Sequence, residues 1–145
     1  MSGADTTDVV VRADRPDGEE LLDLYASVGW DAYTRDPETL SAAIDGSSYV
    51  VTARADGVLV GLARVISDGA SICYLQDVLV RPTHRRVGLG RRLVLAALQP
   101  YAQVRQKVLL TDDEPGQRAF YESLGYAETR DLGMANLRAF VRLDV

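Results

Sequence analysis

Apolar and polar residues alternate along the chain in a pattern that predicts short strands. Two β-rich runs, 49–53 and 58–66, flank the dipeptide Asp56-Gly57, which is typical of a tight hairpin, so these runs should pair antiparallel. A third run, 72–80, should continue the sheet. The other strands are predicted at 9–12, at 108–111 and at 136–143, where Leu137, Ala139, Val141 and Leu143 alternate with Arg138, Phe140 and Arg142.

Apolar residues at helical spacing predict four helices. Asp36 and Pro37 are typical of a helix start, Gly46 of a helix end, and Pro100 disfavours an α-helical last turn where it falls. The order β-α-α-β-β-β-α-β-α-β indicates an α+β fold: a mixed, mostly antiparallel, twisted sheet with two early and two late helices. We expect one domain over 9–145 and a flexible N-terminus over 1–8. The helices are predicted at 17–28, 36–45, 91–102 and 115–124.

Composition excludes several classes of protein. The net charge of -5 argues against a general nucleic-acid binder and suits a cationic partner, although plain solubility explains it equally well. Cys73 and His84 are the single cysteine and the single histidine, so we expect no internal disulfide and no metal site. No leader-like segment and no apolar run of about 20 residues is present, which predicts a cytoplasmic protein without membrane contact.

The most informative segment is a strand followed by Arg85-x-x-Gly88-x-Gly90 and a long helix. The first turn of a helix offers unpaired backbone N–H groups to an anion, and glycine lets phosphates approach the backbone. Because four arginines at 85, 86, 91 and 92 surround this turn, it indicates a diphosphate site. The loop lacks the Lys-Ser/Thr of a nucleotide P-loop and does not follow an opening βαβ unit. The alternative is a helix start with a solvated arginine face.

Three segments together resemble the GNAT superfamily of N-acetyltransferases. They are Leu75-Gln76-Asp77-Val78-Leu79-Val80-Arg81-Pro82, Arg85-x-x-Gly88-x-Gly90 and Phe120-Tyr121-Glu122-Ser123-Leu124-Gly125-Tyr126. The resemblance implies the GNAT acyl-CoA N-acyltransferase fold, with acetyl-CoA as cosubstrate and no metal. It implies that main-chain amides bind the coenzyme A pyrophosphate, and that a bulged strand pairs with the pantetheine arm. The cofactor-binding residues implied are Val78, Leu79, Val80, Arg85, Arg86, Val87, Gly88, Leu89, Gly90 and Arg91.

The resemblance also suggests candidates for catalysis. Tyr121 matches a tyrosine that often lies near the thioester sulfur, and a phenol can protonate a departing thiolate. It could instead only pack or hydrogen-bond. Asp77 is a carboxylate in a mostly apolar strand, and alternation puts it on the face of Leu75 and Leu79. It could be the general base, a structural or exposed charge, or a group that binds the acceptor. Glu114 replaces a family asparagine, which puts one coenzyme contact in doubt.

The predicted activity is direct transfer of an acetyl group to a primary amine of a small molecule or peptide. The aromatic link 30–33 contains Trp30 and Tyr33, which fall where the resemblance implies an acceptor pocket, although both could simply cap the core. The alternatives are a catalytically silent coenzyme A sensor and an enzyme with a protein or tRNA acceptor. A homodimer through the late strand 136–143 is a further expectation from the resemblance.

Overall fold

The computed structural model describes residues 8–133 and 136–144, which form two compact units. One unit extends to Leu110 and the other begins at Thr111. The expectation of one domain over 9–145 stays a prediction. Apart from Asp8, the flexible terminus predicted at 1–8 lies outside the described residues.

Five strands of the first unit form one sheet in the order β1-β2-β3-β4-β5. The first three pairings, from β1 to β4, are antiparallel and the β4–β5 pairing is parallel, which confirms the mixed, mostly antiparallel sheet. Asp56 (φ 50°) and Gly57 (φ 80°) both adopt the left-handed conformation that a two-residue hairpin requires, so the predicted turn is present. The strands are β1 (Val9–Ala13), β2 (Tyr49–Ala55), β3 (Val58–Ser67), β4 (Ile72–Val80) and β5 (Gln106–Leu109).

Two helices of this unit, Gly18–Ser27 and Pro37–Asp45, begin where an aspartate side chain caps them. Asp17 accepts a hydrogen bond from the Glu20 N–H, and Glu20 accepts one from the Asp17 N–H, a reciprocal cap that fixes the start of α1. Three helices, rather than the predicted two, lie between β1 and β2, because the aromatic link folds into a short helix. A 3-10 turn containing Pro100 ends the fourth helix. The helices are α1 (Gly18–Ser27), α2 (Asp31–Thr34), α3 (Pro37–Asp45) and α4 (Leu89–Leu98).

The sheet carries a helical layer on each face. Leu62 and Leu79 are cross-strand partners whose side chains join the cluster formed with α1 and α3. Gly61 points to the other face, where Leu93 of α4 packs directly over it. The fully buried cluster beneath α1 and α3 comprises Leu21, Leu24, Tyr25, Leu40, Ile44, Val50, Leu59, Leu62 and Leu79.

Gly61 sets how closely α4 approaches the sheet, and Gly61→Ala should lower the free energy of unfolding by about 1–2 kcal/mol. A Cβ there would stand 2.8 Å from Leu93 Cδ1 and 3.2 Å from the Leu79 carbonyl oxygen. Urea denaturation measures the change. Gly18→Ala is the matched control, since its Cβ would meet only Ser41 Oγ at 3.7 Å. Equal stability of the two variants would contradict this account of the packing.

The second unit contains α5 (Gln117–Ser123), in which Arg118 pairs with Glu122 at 3.0 Å and with Asp131 at 2.6 Å. The strand predicted at 136–143 is wrong, since residues 136–144 have no strand structure. Their apolar side chains are exposed, Phe140 by 93%. Alternation shows which side of a strand could be buried, whereas strand formation also needs a partner for the backbone.

Candidate active site

The loop between β4 and α4 has the backbone shape that the diphosphate prediction requires. Arg86 (φ 66°) and Gly88 (φ 78°) are left-handed on either side of Val87, and α4 begins directly after Gly88. No side chain caps that helix start, so the N–H groups of its first turn are available to a ligand. Left-handed residues interspersed in a turn gather successive N–H groups into a concave anion site. The loop therefore has the backbone features of an anion-binding turn.

The four arginines around this loop differ in their surroundings. Arg86 and Arg91 are exposed. Arg85 is also exposed, and its Nε donates to the Val80 carbonyl oxygen at 3.2 Å. Arg92 is half-buried and donates to the Val9 carbonyl oxygen at 2.9 Å, which links α4 to β1. Three exposed cations thus remain beside the helix start to attract a diphosphate.

A fork in the sheet lies directly before this loop. The parallel pairing of β4 with β5 runs from Ile72 opposite Gln106 to Leu75 opposite Leu109, and β5 ends there while β4 continues to Val80. The stretch that contains Val78, Leu79 and Val80 thus runs beyond the end of β5. A backbone edge of this kind can bind an extended ligand as an added strand. This is where the resemblance places the pantetheine arm.

A β-bulge marks the point of the fork. Arg64 is opposite Asp77 and Val65 is opposite Leu75, which leaves Gln76 as the extra residue of β4. Strand partners share a face, so the bulge puts Leu75 and Asp77 on opposite faces. The prediction that Asp77 shares a face with Leu75 and Leu79 is therefore wrong for Leu75 and right for Leu79. The alternation of side chains between the two faces of a regular strand does not reveal where an extra residue is inserted.

Asp77 is buried in an ion pair. Its carboxylate lies 2.7 Å from Arg64 Nε, and the two side chains are 3% and 6% exposed. The same Oδ2 accepts from the Tyr25 hydroxyl at 2.9 Å, and Oδ1 accepts from the Tyr33 hydroxyl at 3.2 Å. Arg64 also donates to Ser47 Oγ at 3.2 Å. Asp77 is thus a buried charge and not an exposed one, and both of its oxygens hold structural partners.

Electrostatics within this network keep Tyr25 protonated and Arg64 charged. Burial first, and then the Asp77 charge and hydrogen bond, raise the pKa of Tyr25 far above its ordinary value. Burial disfavours the Arg64 cation, but the Asp77 carboxylate outweighs burial and raises the pKa of Arg64. A protonated phenol and a charged guanidinium are both donors, and each donates to Asp77.

Trp30 and Tyr33 form an aromatic cluster with Tyr25. The ring centroids lie 5.8 Å apart for Tyr25 and Trp30, 5.1 Å for Tyr25 and Tyr33, and 6.2 Å for Trp30 and Tyr33. Tyr25 is fully buried, whereas Trp30 and Tyr33 are half-buried and pack on the core below α1 and α3. The two residues thus both cap the core and present part of their surface to solvent.

Tyr121 lies in α5 of the second unit, with Phe120 and Tyr126 as ring neighbours at 4.9 Å and 6.0 Å. Burial raises the pKa of Tyr121, so its phenol keeps its proton at neutral pH. Glu114 is exposed just before this helix.

Cys73 and His84 belong to no metal-ligand cluster in the described part of the chain. Cys73 is fully buried on β4, and burial raises the pKa of its thiol. Residues 8–133 and 136–144 contain no cluster of histidine, cysteine, aspartate and glutamate that could hold a metal. Within the same residues, every helix is too short or too polar to cross a membrane.

Sequence reasoning missed Arg64, Tyr25 and Gln76. Arg64 stands alone as a charge within the apolar run 58–66, and this was a readable sign of a buried partner. Tyr25 recurs at helical spacing with Leu21 and Val28, and this pattern indicates only an apolar helix face. Gln76 could not be recognised, because its place at the bulge depends on the register of β3 and β4.

Comparison with known proteins identifies the family. Residues 18–143 match the acetyltransferase (GNAT) domain. An uncharacterised N-acetyltransferase, ycf52, of Pyropia yezoensis is 29% identical over 116 residues, which are 77% of this chain and 66% of that protein. The chain spans less than two thirds of the length of the curated relatives it matches.

Solved structures of acetyltransferases have the same fold as this chain. A GNAT family acetyltransferase from Streptococcus pneumoniae TIGR4 has a TM-score of 0.76 and 26% identity, over 93% of this chain and 99% of that one. AAC(6')-Iy, in complex with the bisubstrate analog CoA-S-monomethyl-acetylneamine, has a TM-score of 0.61 and 21% identity, over 94% of this chain and 99% of that one. The fold is that of the acyl-CoA N-acyltransferases. The chain belongs to the GNAT acetyltransferase family.

Proposed function

We propose that this protein is an N-acetyltransferase that moves the acetyl group of acetyl-CoA directly onto a primary amine. The observation that supports this proposal most strongly is the segment that runs from the fork of the sheet to α4. It supplies an open strand edge beyond Leu75 and then, around Gly88, a concave set of N–H groups with exposed arginine side chains on both sides. This order suits a long cosubstrate with a diphosphate at one end and a thioester arm at the other.

The proposed cofactor contacts follow from that order. Main-chain groups of Val78, Leu79 and Val80 would pair with the pantetheine arm, and their N–H groups would stabilise the oxyanion formed when the amine attacks the thioester carbonyl. The pyrophosphate would be bound by the loop residues. These are Arg85, Arg86, Val87, Gly88, Leu89, Gly90 and Arg91.

The acceptor that we propose is a cationic small molecule or peptide. The segment 17–46, which contains α1, α2 and α3, has eight acidic residues and a single basic one, Arg35. Its charge is therefore more negative than that of the whole chain. An acidic surface attracts amines, and the partly exposed rings of Trp30 and Tyr33 can contact an alkylammonium group. The acidic residues are Asp17, Glu19, Glu20, Asp23, Asp31, Asp36, Glu38 and Asp45.

The first experiment measures free-thiol release from acetyl-CoA with a panel of aralkylamines, polyamines, aminosugars, amino acids and short peptides at pH 7 to 8.5. We expect turnover with cationic amines, since the uncharged fraction of an amine can attack the thioester. Calorimetry measures acetyl-CoA binding in parallel. Binding without turnover would favour the sensor or a macromolecular acceptor, and absence of binding would contradict the proposal.

We propose Tyr121 as the general acid that protonates the coenzyme A thiolate. Tyr121→Phe should lower kcat by about 100-fold, as removal of a general acid does, and leave acetyl-CoA affinity unchanged. Tyr126→Phe is the matched control in the same unit and should change kcat less than about twofold. Full turnover in Tyr121→Phe would show that another group or water protonates the thiolate.

Asp77 is the other proposed catalytic residue, and its contacts decide how it could act. Oδ2 accepts from Arg64 and Tyr25, Oδ1 accepts from Tyr33, and the side chain is only 3% exposed, so the carboxylate is enclosed by structural partners. We therefore propose that Asp77 has a structural role and is not the general base. Water would then accept the proton of the amine. A cytoplasmic location and a homodimer stay predictions.

A further inference from the structure

Gln76 connects the buried ion pair with the fork of the sheet. It is the bulged residue of β4 and lies directly after Leu75, the last residue to pair with β5. Its side chain is exposed, and its Nε2 lies 3.4 Å from the Tyr33 hydroxyl oxygen. The same hydroxyl contacts Asp77 and Arg64. Tyr33 thus bridges the buried pair and an exposed amide beside the proposed thioester position.

The charges of the buried pair fix the direction of every hydrogen bond in this chain of contacts. A carboxylate paired with arginine only accepts, so the single Tyr33 hydroxyl proton is donated to Asp77 Oδ1 at 3.2 Å. A guanidinium only donates, so Arg64 Nη2 donates to the Tyr33 oxygen at 3.4 Å. The remaining lone pair of that oxygen needs a donor, and the Gln76 amide supplies its NH₂ group.

One consequence is that the carbonyl oxygen Oε1 of Gln76 is directed away from Tyr33. Among the described residues, none donates a hydrogen bond to it. We infer that Gln76 is the residue that receives the N–H of the acceptor amine, and that Arg64, Asp77 and Tyr33 are positioning residues that orient its amide. This inference rests on the proposed function and specifies an acceptor with a hydrogen-bond donor on the attacking nitrogen.

The geometry suits this role for two reasons. A bulge adds a residue at a place where the strand edge is free, so the Gln76 side chain stands at the fork without interrupting the β3–β4 pairing on either side. Tyr33 is also part of the aromatic cluster with Trp30, so an alkyl chain on the amine could contact the rings while its nitrogen meets Gln76.

Kinetics of Gln76→Met and Tyr33→Phe test the inference. Gln76→Met removes the acceptor oxygen and keeps the length of the side chain, so the KM for the amine should rise by up to about tenfold, as loss of one hydrogen bond predicts. Tyr33→Phe lets the amide turn and should raise the same KM by a similar factor. The KM for acetyl-CoA should not change in either variant.

A double-mutant cycle separates positioning from packing. Because Tyr33 acts through Gln76, the Gln76→Met, Tyr33→Phe double variant should raise the amine KM no more than Gln76→Met alone. If the increases in amine KM caused by the two substitutions multiply in the double variant, Tyr33 does not act through Gln76 and the inference is overturned. Gln99→Met, at an exposed glutamine after α4, is the matched control and should have wild-type constants.

Fluorescence provides a second readout, since Trp30 is the only tryptophan of the chain and lies 6.2 Å from Tyr33. Benzylamine and spermidine titrated with coenzyme A present should change its emission in the wild type, with weaker affinity in Gln76→Met. If the wild type acetylates amines but Gln76→Met keeps its amine KM, the inference fails and the proposed function stands. If no panel amine binds or reacts while acetyl-CoA binds, the small-amine function fails and this inference with it.

Discussion

Gly88→Glu should weaken acetyl-CoA binding by at least 100-fold, the largest effect that we expect from one substitution. The new carboxylate would project from the concave N–H site at the start of α4, and a negative charge beside a diphosphate costs several kcal/mol. The left-handed backbone at this position (φ 78°) adds strain of about 1–2 kcal/mol with any side chain. Isothermal calorimetry with acetyl-CoA measures the loss.

Gly69→Glu is the control for that substitution. Gly69 has nearly the same left-handed backbone (φ 76°), and a Cβ there meets nothing within 4 Å, as at Gly88. The control therefore introduces the same charge and the same strain in the turn before β4, at the opposite end of that strand from the loop. We expect it to bind acetyl-CoA like the wild type. Equal affinity of both variants would contradict the placement of the diphosphate.

Arg64→Met should lower the free energy of unfolding by about 3–5 kcal/mol, because it leaves the Asp77 carboxylate buried without its cation. Arg142→Met removes an arginine that is 88% exposed, and it should cost less than about 1 kcal/mol. Chemical denaturation of both variants measures the difference.

A double variant identifies the cause of that instability. Arg64→Met combined with Asp77→Leu removes both charges, and we expect it to recover most of the lost stability, as apolar replacements of buried ion pairs do. If Arg64→Met alone costs less than about 1 kcal/mol, water must reach Asp77 in solution, and the network would not hold Tyr33 in place. No recovery in the double variant would instead assign the loss to packing around Arg64.

Much of the first unit could be predicted from sequence, because its signals are local. The Asp56-Gly57 turn, the alternation in β2 and β3, and the Gly88 turn each depend on a few neighbouring residues. The family motif at Arg85 to Gly90 adds information that periodicity lacks. From these features the sequence predicts the antiparallel pairing of β2 with β3 and the place of the loop between β4 and α4.

The remainder could not be predicted, because it depends on partners distant in sequence. Asp77 is a candidate base on sequence grounds, and only the packing of β3 and α1 reveals Arg64 and Tyr25 beside it. The alternating residues 136–143 showed an apolar side without showing what would cover it.

The extra residue in β4 determines which side of the sheet receives a negative charge. If the strand kept the register of Leu75 opposite Val65 without interruption, Asp77 would point with Ala63 toward Leu93 and the apolar side of α4. In that uninterrupted register Leu79 would also pair with Gly61 instead of Leu62, so it would leave its cluster and turn toward α4 together with Asp77. The bulge at Gln76 thereby keeps the Asp77 carboxylate out of the apolar layer between the sheet and α4.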